Sequence, residues 1–183
     1  MPVHHLLLCD KGGEVLVERF YRTVEDSIEF ADEHGEEDKN AWQFDMAERR
    51  KKAFTLMKPM WKEAFGGIYQ VATIGDRYIV FVGAGSLLFS VTGSDDCDEL
   101  GLQEILETVI KVIQEICFGK KIVGKELDEE VLMKNFGKVC VAIESIISDG
   151  IVDNLNVELV LLQTKLKDIS KFERNFKNSL GKK

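Results

Sequence analysis

Asp95, Asp96, Asp98 and Glu99 form the densest carboxylate group in a plausible site position. Carboxylates this close could share a proton for acid–base work or hold a divalent cation. They also stand just ahead of an amphipathic run, where negative charge favours a helix N-terminus, and Asp96 with Glu99 has capping-box spacing. Capping is the preferred reading. Gly83-Ala84-Gly85 is the nearest approach to a phosphate-cradling loop. It lacks a third glycine, lies between two strands and is followed by no helix N-terminus, so it reads as a turn. His4 and His5 alternate across an N-terminal strand, so only one can serve any given site, and His34 falls among acidic residues. Cys9, Cys97, Cys117 and Cys140 show no C-x-x-C and no metal-like spacing. They read as reduced packing cysteines of a cytosolic protein. No catalytic constellation, metal set or cofactor loop emerges; the expectation is a non-enzyme with no cofactor.

The elements around these residues are organised by one stretch, Ser94 to Gly150, which reads as two long amphipathic helices. Leu102, Ile105, Leu106, Val109, Ile113 and Ile116 recur at helical spacing in the first, with Glu104, Glu107, Lys111 and Glu115 opposite. Leu132, Phe136, Val139, Cys140, Ile143, Ile146 and Ile147 do so in the second, and Asp149-Gly150 supplies a glycine stop. Such helices need a sheet to cover. Residues 3–9 and 14–21 predict a hairpin around Asp10-Lys11-Gly12-Gly13. A helix is expected over Ala41–Phe65, interrupted near Pro59. Three strands follow: Ile68–Ile74, Tyr78–Val82 and Ser86–Thr92. The order β-β-α-β-β-β-α-α, with an extra C-terminal helix, predicts an α+β domain: a five-stranded antiparallel sheet with helices covering a face.

Charge divides the chain. The net charge of −8 argues against non-specific nucleic-acid binding. The segment 24–40 is acidic, and its spacing does not match a calcium loop, so it reads as a solvated connection. Residues 165–183 carry seven Lys or Arg against Asp168 and Glu173, a balance of +5, which leaves −13 for the rest. In that tail Leu166, Ile169, Phe172, Phe176 and Leu180 recur every three or four residues. Lys165, Lys167, Lys171, Arg174 and Lys177 supply a candidate basic surface. One use is docking on an acidic partner or an anionic membrane; another is packing on the chain's own domain. The boundaries expected are a domain over 1–164 and a basic amphipathic extension over 165–183. The segment VHHLLLC is too short for a signal-peptide core, and no run approaches membrane-spanning length.

Three stretches resemble a known family. LLLCDKGGEVLVERFYR is similar to its opening hairpin, IVFVGAGSLLFSVTGSDDCDEL to its strand-turn-strand block, and VCVAIESIISDGIV to the helix that ends in an acidic residue and glycine. Their order over residues 3–153 resembles the longin-fold small subunits of heterotetrameric vesicle-coat adaptors. These are the sigma chains of clathrin adaptors, the zeta chain of the COPI coat and the small subunit of the related TSET complex, called TPLATE in plants. The last is the nearest resemblance. The acidic segment 24–40 and the connector FGKKIVGKELDEEVLM depart from the compact versions. Sigma chains help to bind acidic dileucine signals with a basic residue in the second strand and an apolar pocket. The matching strand position is Leu16, without charge, while Ile110 keeps the pocket's apolar character.

The resemblance implies a non-enzymatic subunit that docks on a large helical-solenoid chain within a heteromeric coat complex. That complex would be cytosolic and recruited peripherally to membranes, at the plasma membrane for clathrin-mediated endocytosis if of TPLATE type. Candidate partner-contact residues are Leu100, Ile110, Val131, Leu166, Ile169, Phe172 and Phe176. Rival readings are a longin- or profilin-like module acting on a small GTPase or SNARE, and a small-ligand sensor or enzyme on a similar α+β scaffold.

Overall fold

A computed structural model describes residues 2–21, 39–94, 98–119 and 124–165, and over 39–45 the backbone only. Its centre is a five-stranded antiparallel sheet: β1 (Val3–Asp10), β2 (Val15–Phe20), β3 (Gln70–Ile74), β4 (Arg77–Ala84) and β5 (Leu87–Gly93), in the order β2-β1-β5-β4-β3. Strand β1 therefore lies between its hairpin partner and β5, with Leu6 opposite both Arg19 and Val91. Pleating sends Leu6 and Leu8 to one side and Leu7 and Cys9 to the other. Both sets are fully buried, so β1 needs an apolar cover on each face.

Those covers come from different helices. Helix α1 (Lys39–Met57), a short 3-10 turn at Lys58–Met60 and α2 (Trp61–Phe65) lie on one face. Ala53, Met57 and Ala64 pack there with Leu7, Cys9, Ile79, Phe81 and Leu88. The opposite face carries α3 (Glu99–Phe118), α4 (Glu129–Lys134), α5 (Phe136–Ile146) and α6 (Val157–Gln163), with a two-residue hairpin of β6 (Ile147–Ser148) and β7 (Ile151–Val152). Leu102, Ile105, Leu106, Val109 and Ile113 of α3 meet Leu6, Leu8, Val80, Val82, Phe89 and Val91. Burying each such side chain contributes about 1.5–3 kcal/mol.

The α+β sheet expected from the sequence is present, and three details differ. The sheet is covered on both faces, because α1 buries a short stripe that ends in the Pro59 turn. The expected second long helix is two helices. Asn135, at φ −113° and ψ 11°, breaks the helix between α4 and α5; Val139, Ala142, Ile143 and Ile146 are buried in α5, while Phe136 is exposed. The α3 cap is Asp98, whose carboxylate accepts from the Gly101 N–H at 2.7 Å; Asp95, Asp96 and Cys97 lie outside the described residues.

Candidate partner-binding surface

The outer side of the α3–α6 layer is built by helices whose inward stripes are already used. In α6, Asn156 caps by accepting from the Leu159 N–H, and Val157, Val160, Leu161 and Thr164 turn inward. That leaves Leu159 and Leu162 outward, 50% and 55% exposed. On the same layer Leu100, in the first turn of α3, is 74% exposed, and Met133, Phe136 and Ile151 are also exposed. A large apolar side chain left in water costs transfer energy that a partner surface would recover. A second group, Leu56, Ile68 and Val71, lies around the α1–β3 end of the domain, where β3 is a sheet edge.

The sequence-derived candidates are placed unevenly. Leu100 is on the surface. Val131 is half-buried, its carbonyl accepting from Asn135 Nδ2 at 3.1 Å. Ile110 is buried in the α3-side core, beside the stripe set by Leu106 and Ile113. Leu16 packs partly buried against the same core. Lys165 is exposed. Leu166, Ile169, Phe172 and Phe176, with Lys167, Lys171, Arg174 and Lys177, lie outside the described residues, as does most of the acidic segment 24–40. Sequence reasoning missed Leu159 and Leu162; both sides of α6 are apolar, and spacing alone does not show which side meets α3 and α5.

Two glycine contacts tie the connector and the helical layer to the sheet. Gly85, at φ +66°, begins the β4–β5 turn, and a Cβ there would stand 2.3 Å from the Leu127 carbonyl oxygen. Ser86 donates to that same carbonyl from its N–H at 2.8 Å and its hydroxyl at 3.2 Å. Leu127 is thereby seated in the core, just before the Asp128 cap of α4. Gly150, at φ +79° after Asp149 at φ 49°, presents its carbonyl to the Val3 N–H at 2.7 Å. The sequence Ser-Asp-Gly is thus the tip of a hairpin docked on β1, in addition to a helix stop.

The opposite face carries a polar cluster. Glu18 accepts from Arg50 Nε at 2.7 Å and pairs with His5 Nε2 at 3.1 Å, and the His5 ring stacks on Phe20 at 4.1 Å. Burial opposes the Glu18 charge, but the hydrogen bonds and charges of His5 and Arg50 outweigh it and hold the carboxyl below its usual 4.5. A depressed carboxyl stabilises the fold above the unfolded-state range and loses that contribution as pH falls through its folded value. Arg50→Met should therefore cost about 1 kcal/mol at pH 7, discounted because the guanidinium is 39% exposed. The difference from wild type should shrink in denaturant titrations at pH 3.5. An equal cost at both pH values would mean that Arg50 acts through packing. Cys9, pushed up to about 12 by burial and then by Asp10, is an inert core thiol. Among the described residues no group of three or more His, Cys, Asp or Glu could hold a metal ion, and no helix is long and apolar enough to cross a membrane.

Against known proteins, residues 2–171 match the clathrin adaptor complex small chain family. The chain belongs to that family. The family is one of non-enzymatic coat subunits. This adaptor small chain is 22% identical over 165 residues to TSET complex member tstD of Dictyostelium discoideum, covering 90% of this chain and 93% of that protein. Its fold is also similar to a chain in a homology model of the full-length AP-3 complex in a stretched open conformation. That likeness has a TM-score of 0.50 at 15% identity and covers 97% of this chain and 98% of the other.

Proposed function

We propose that this adaptor small chain is the small subunit of a TSET-type coat complex and acts by scaffolding a large helical-solenoid subunit. The observation that carries the reading is the set of exposed apolar side chains on the α3–α6 layer, Leu100, Met133, Phe136, Leu159 and Leu162, in a domain whose two sheet faces already have covers. The near full-length similarity to a TSET complex member supports the choice of complex. Docking of that layer on a partner would bury apolar surface at the centre of a standard-sized or larger interface. In this reading the chain works at a cytosolic coat recruited peripherally to membranes, at the plasma membrane in endocytosis if the complex is of TPLATE type. The units are a domain over 1–164 and an extension over 165–183.

Co-expression tests it. The chain produced with the large subunits of its own TSET-type complex should co-elute with one of them as a stable pair. Leu100→Asp/Met133→Asp should reduce that co-elution at least tenfold without changing the circular dichroism spectrum. A well-behaved monomer that binds none of them would contradict the proposal.

A further inference from the structure

The helical layers on the two faces of the sheet carry opposite charge. On one face α1, the 3-10 turn and α2 span 39–65, with seven Lys or Arg against Asp45, Glu48 and Glu63, a balance of +4. On the other, residues 98–165 hold thirteen Asp or Glu against seven Lys or Arg, a balance of −6. The sheet stands between the layers. Because the Debye length is about 8 Å at physiological ionic strength, a charged surface against one layer is largely screened from the other.

The basic layer turns lysines outward. At about 100° per residue, Glu48, Lys51, Lys52 and Thr55 lie on the side of α1 away from the buried Ala53 and Met57. No large apolar side chain stands among those four. Lys52 reaches Glu48 at 3.9 Å, and Arg50 turns back to Glu18 on β2. Lys51, Lys58 and Lys62 are exposed and form no ion pair among the described residues.

We propose that the α1–α2 layer is a membrane-facing surface, with Lys51, Lys52, Lys58 and Lys62 resting on the anionic headgroups of the bilayer where the coat assembles. The inference rests on the function proposed above, which gives the acidic layer and its exposed apolar side chains to a large subunit and leaves this layer open. The occupant follows from the chemistry of the face. A protein partner is the poorer fit: lysine is depleted at the centres of protein interfaces, and carboxylates are held better by a guanidinium fork than by an ammonium. Here Arg50 is already engaged by Glu18, and the outward side lacks an apolar anchor. An anionic bilayer needs neither; it responds to diffuse positive charge, and each lysine near its surface raises binding roughly fivefold. The charge separation between the layers would also set the orientation, with the basic layer drawn down and the acidic layer held away.

The test is flotation of the full-length chain, alone and with its large subunit, on phosphatidylcholine vesicles with and without phosphatidylserine. Wild type should float at least tenfold more with the anionic vesicles, and the excess should disappear at high salt. Lys51→Glu/Lys58→Glu/Lys62→Glu should remove that excess. Lys134→Glu/Lys138→Glu/Lys165→Glu, the same charge change on the opposite layer, should leave flotation of the chain alone within twofold. Both variants should keep the wild-type melting temperature, and the α1–α2 variant should still co-elute with the large subunit. Wild type that shows no preference for anionic vesicles, or equal losses in the two variants, would overturn the inference and leave the proposed function standing. If no large subunit co-elutes, the proposed function fails, and flotation of the chain alone still decides whether these lysines meet lipid. The segment 24–38 carries eight carboxylates and is the competing occupant. Flotation seen only after those carboxylates are changed to amides would assign the lysines to that segment and also overturn the inference.

Discussion

Gly85→Ala should lower the unfolding free energy by about 3 kcal/mol. The left-handed conformation costs an L-residue about 1–2 kcal/mol, and forcing a methyl into an occupied site adds about 1–3. Here the obstruction is the Leu127 backbone, with its carbonyl oxygen 2.3 Å and its nitrogen 2.7 Å from the new carbon, so no side chain can rotate away. For a chain of this length the melting temperature should fall by roughly 6–12 °C. Gly67→Ala is the matched control, since φ is +80° but nothing stands within 4 Å. It should show the conformational cost alone, about 1–2 kcal/mol. Equal losses for the two variants would mean that the connector is not seated on the β4–β5 turn. The effect should extend beyond stability: freeing Leu127 releases the segment that leads into α4, and with it Val131 and Met133.

Phe81→Ala should cost about 3–5 kcal/mol, the range for emptying a large aromatic from a closed core. Phe81 is fully buried on the sheet face that α1 and α2 cover, among Leu7, Cys9, Ile79 and Leu88. Were that face open to solvent, the same substitution would cost under about 1 kcal/mol. Urea unfolding of the variant distinguishes the two. It measures directly whether the domain has three layers.

The strands were legible because each short apolar run is bounded by its own turn chemistry. Asp10-Lys11-Gly12-Gly13 and Gly75-Asp76 mark two hairpins on sequence alone, and helix α3 follows from its unbroken stripe. The family resemblance lay in the same stretches, the opening hairpin, the β4–β5 block and the Ser-Asp-Gly tip, and the family match covers all of them. The second cover was not legible, because among the described side chains of α1 and α2 only Ala53, Met57 and Ala64 are buried, and these positions among many charges make a faint stripe. The break at Asn135 was hidden for a related reason. Leu132 and Phe136 have perfect helical spacing, and nothing local shows that Asn135 bends the chain between them. Leu159 and Leu162 were overlooked because the α6 stripe is decided by which side α3 and α5 occupy, a tertiary fact.

The central claim is that this chain works inside a heteromeric coat and not alone. Its most direct test is the composition of the native complex purified through a tag on this chain. Mass spectrometry should find a large adaptor-type subunit at one copy per copy of the small chain, together with the other subunits of the same complex. A monomer, or a one-to-one pair with a small GTPase and no adaptor subunits, would contradict it.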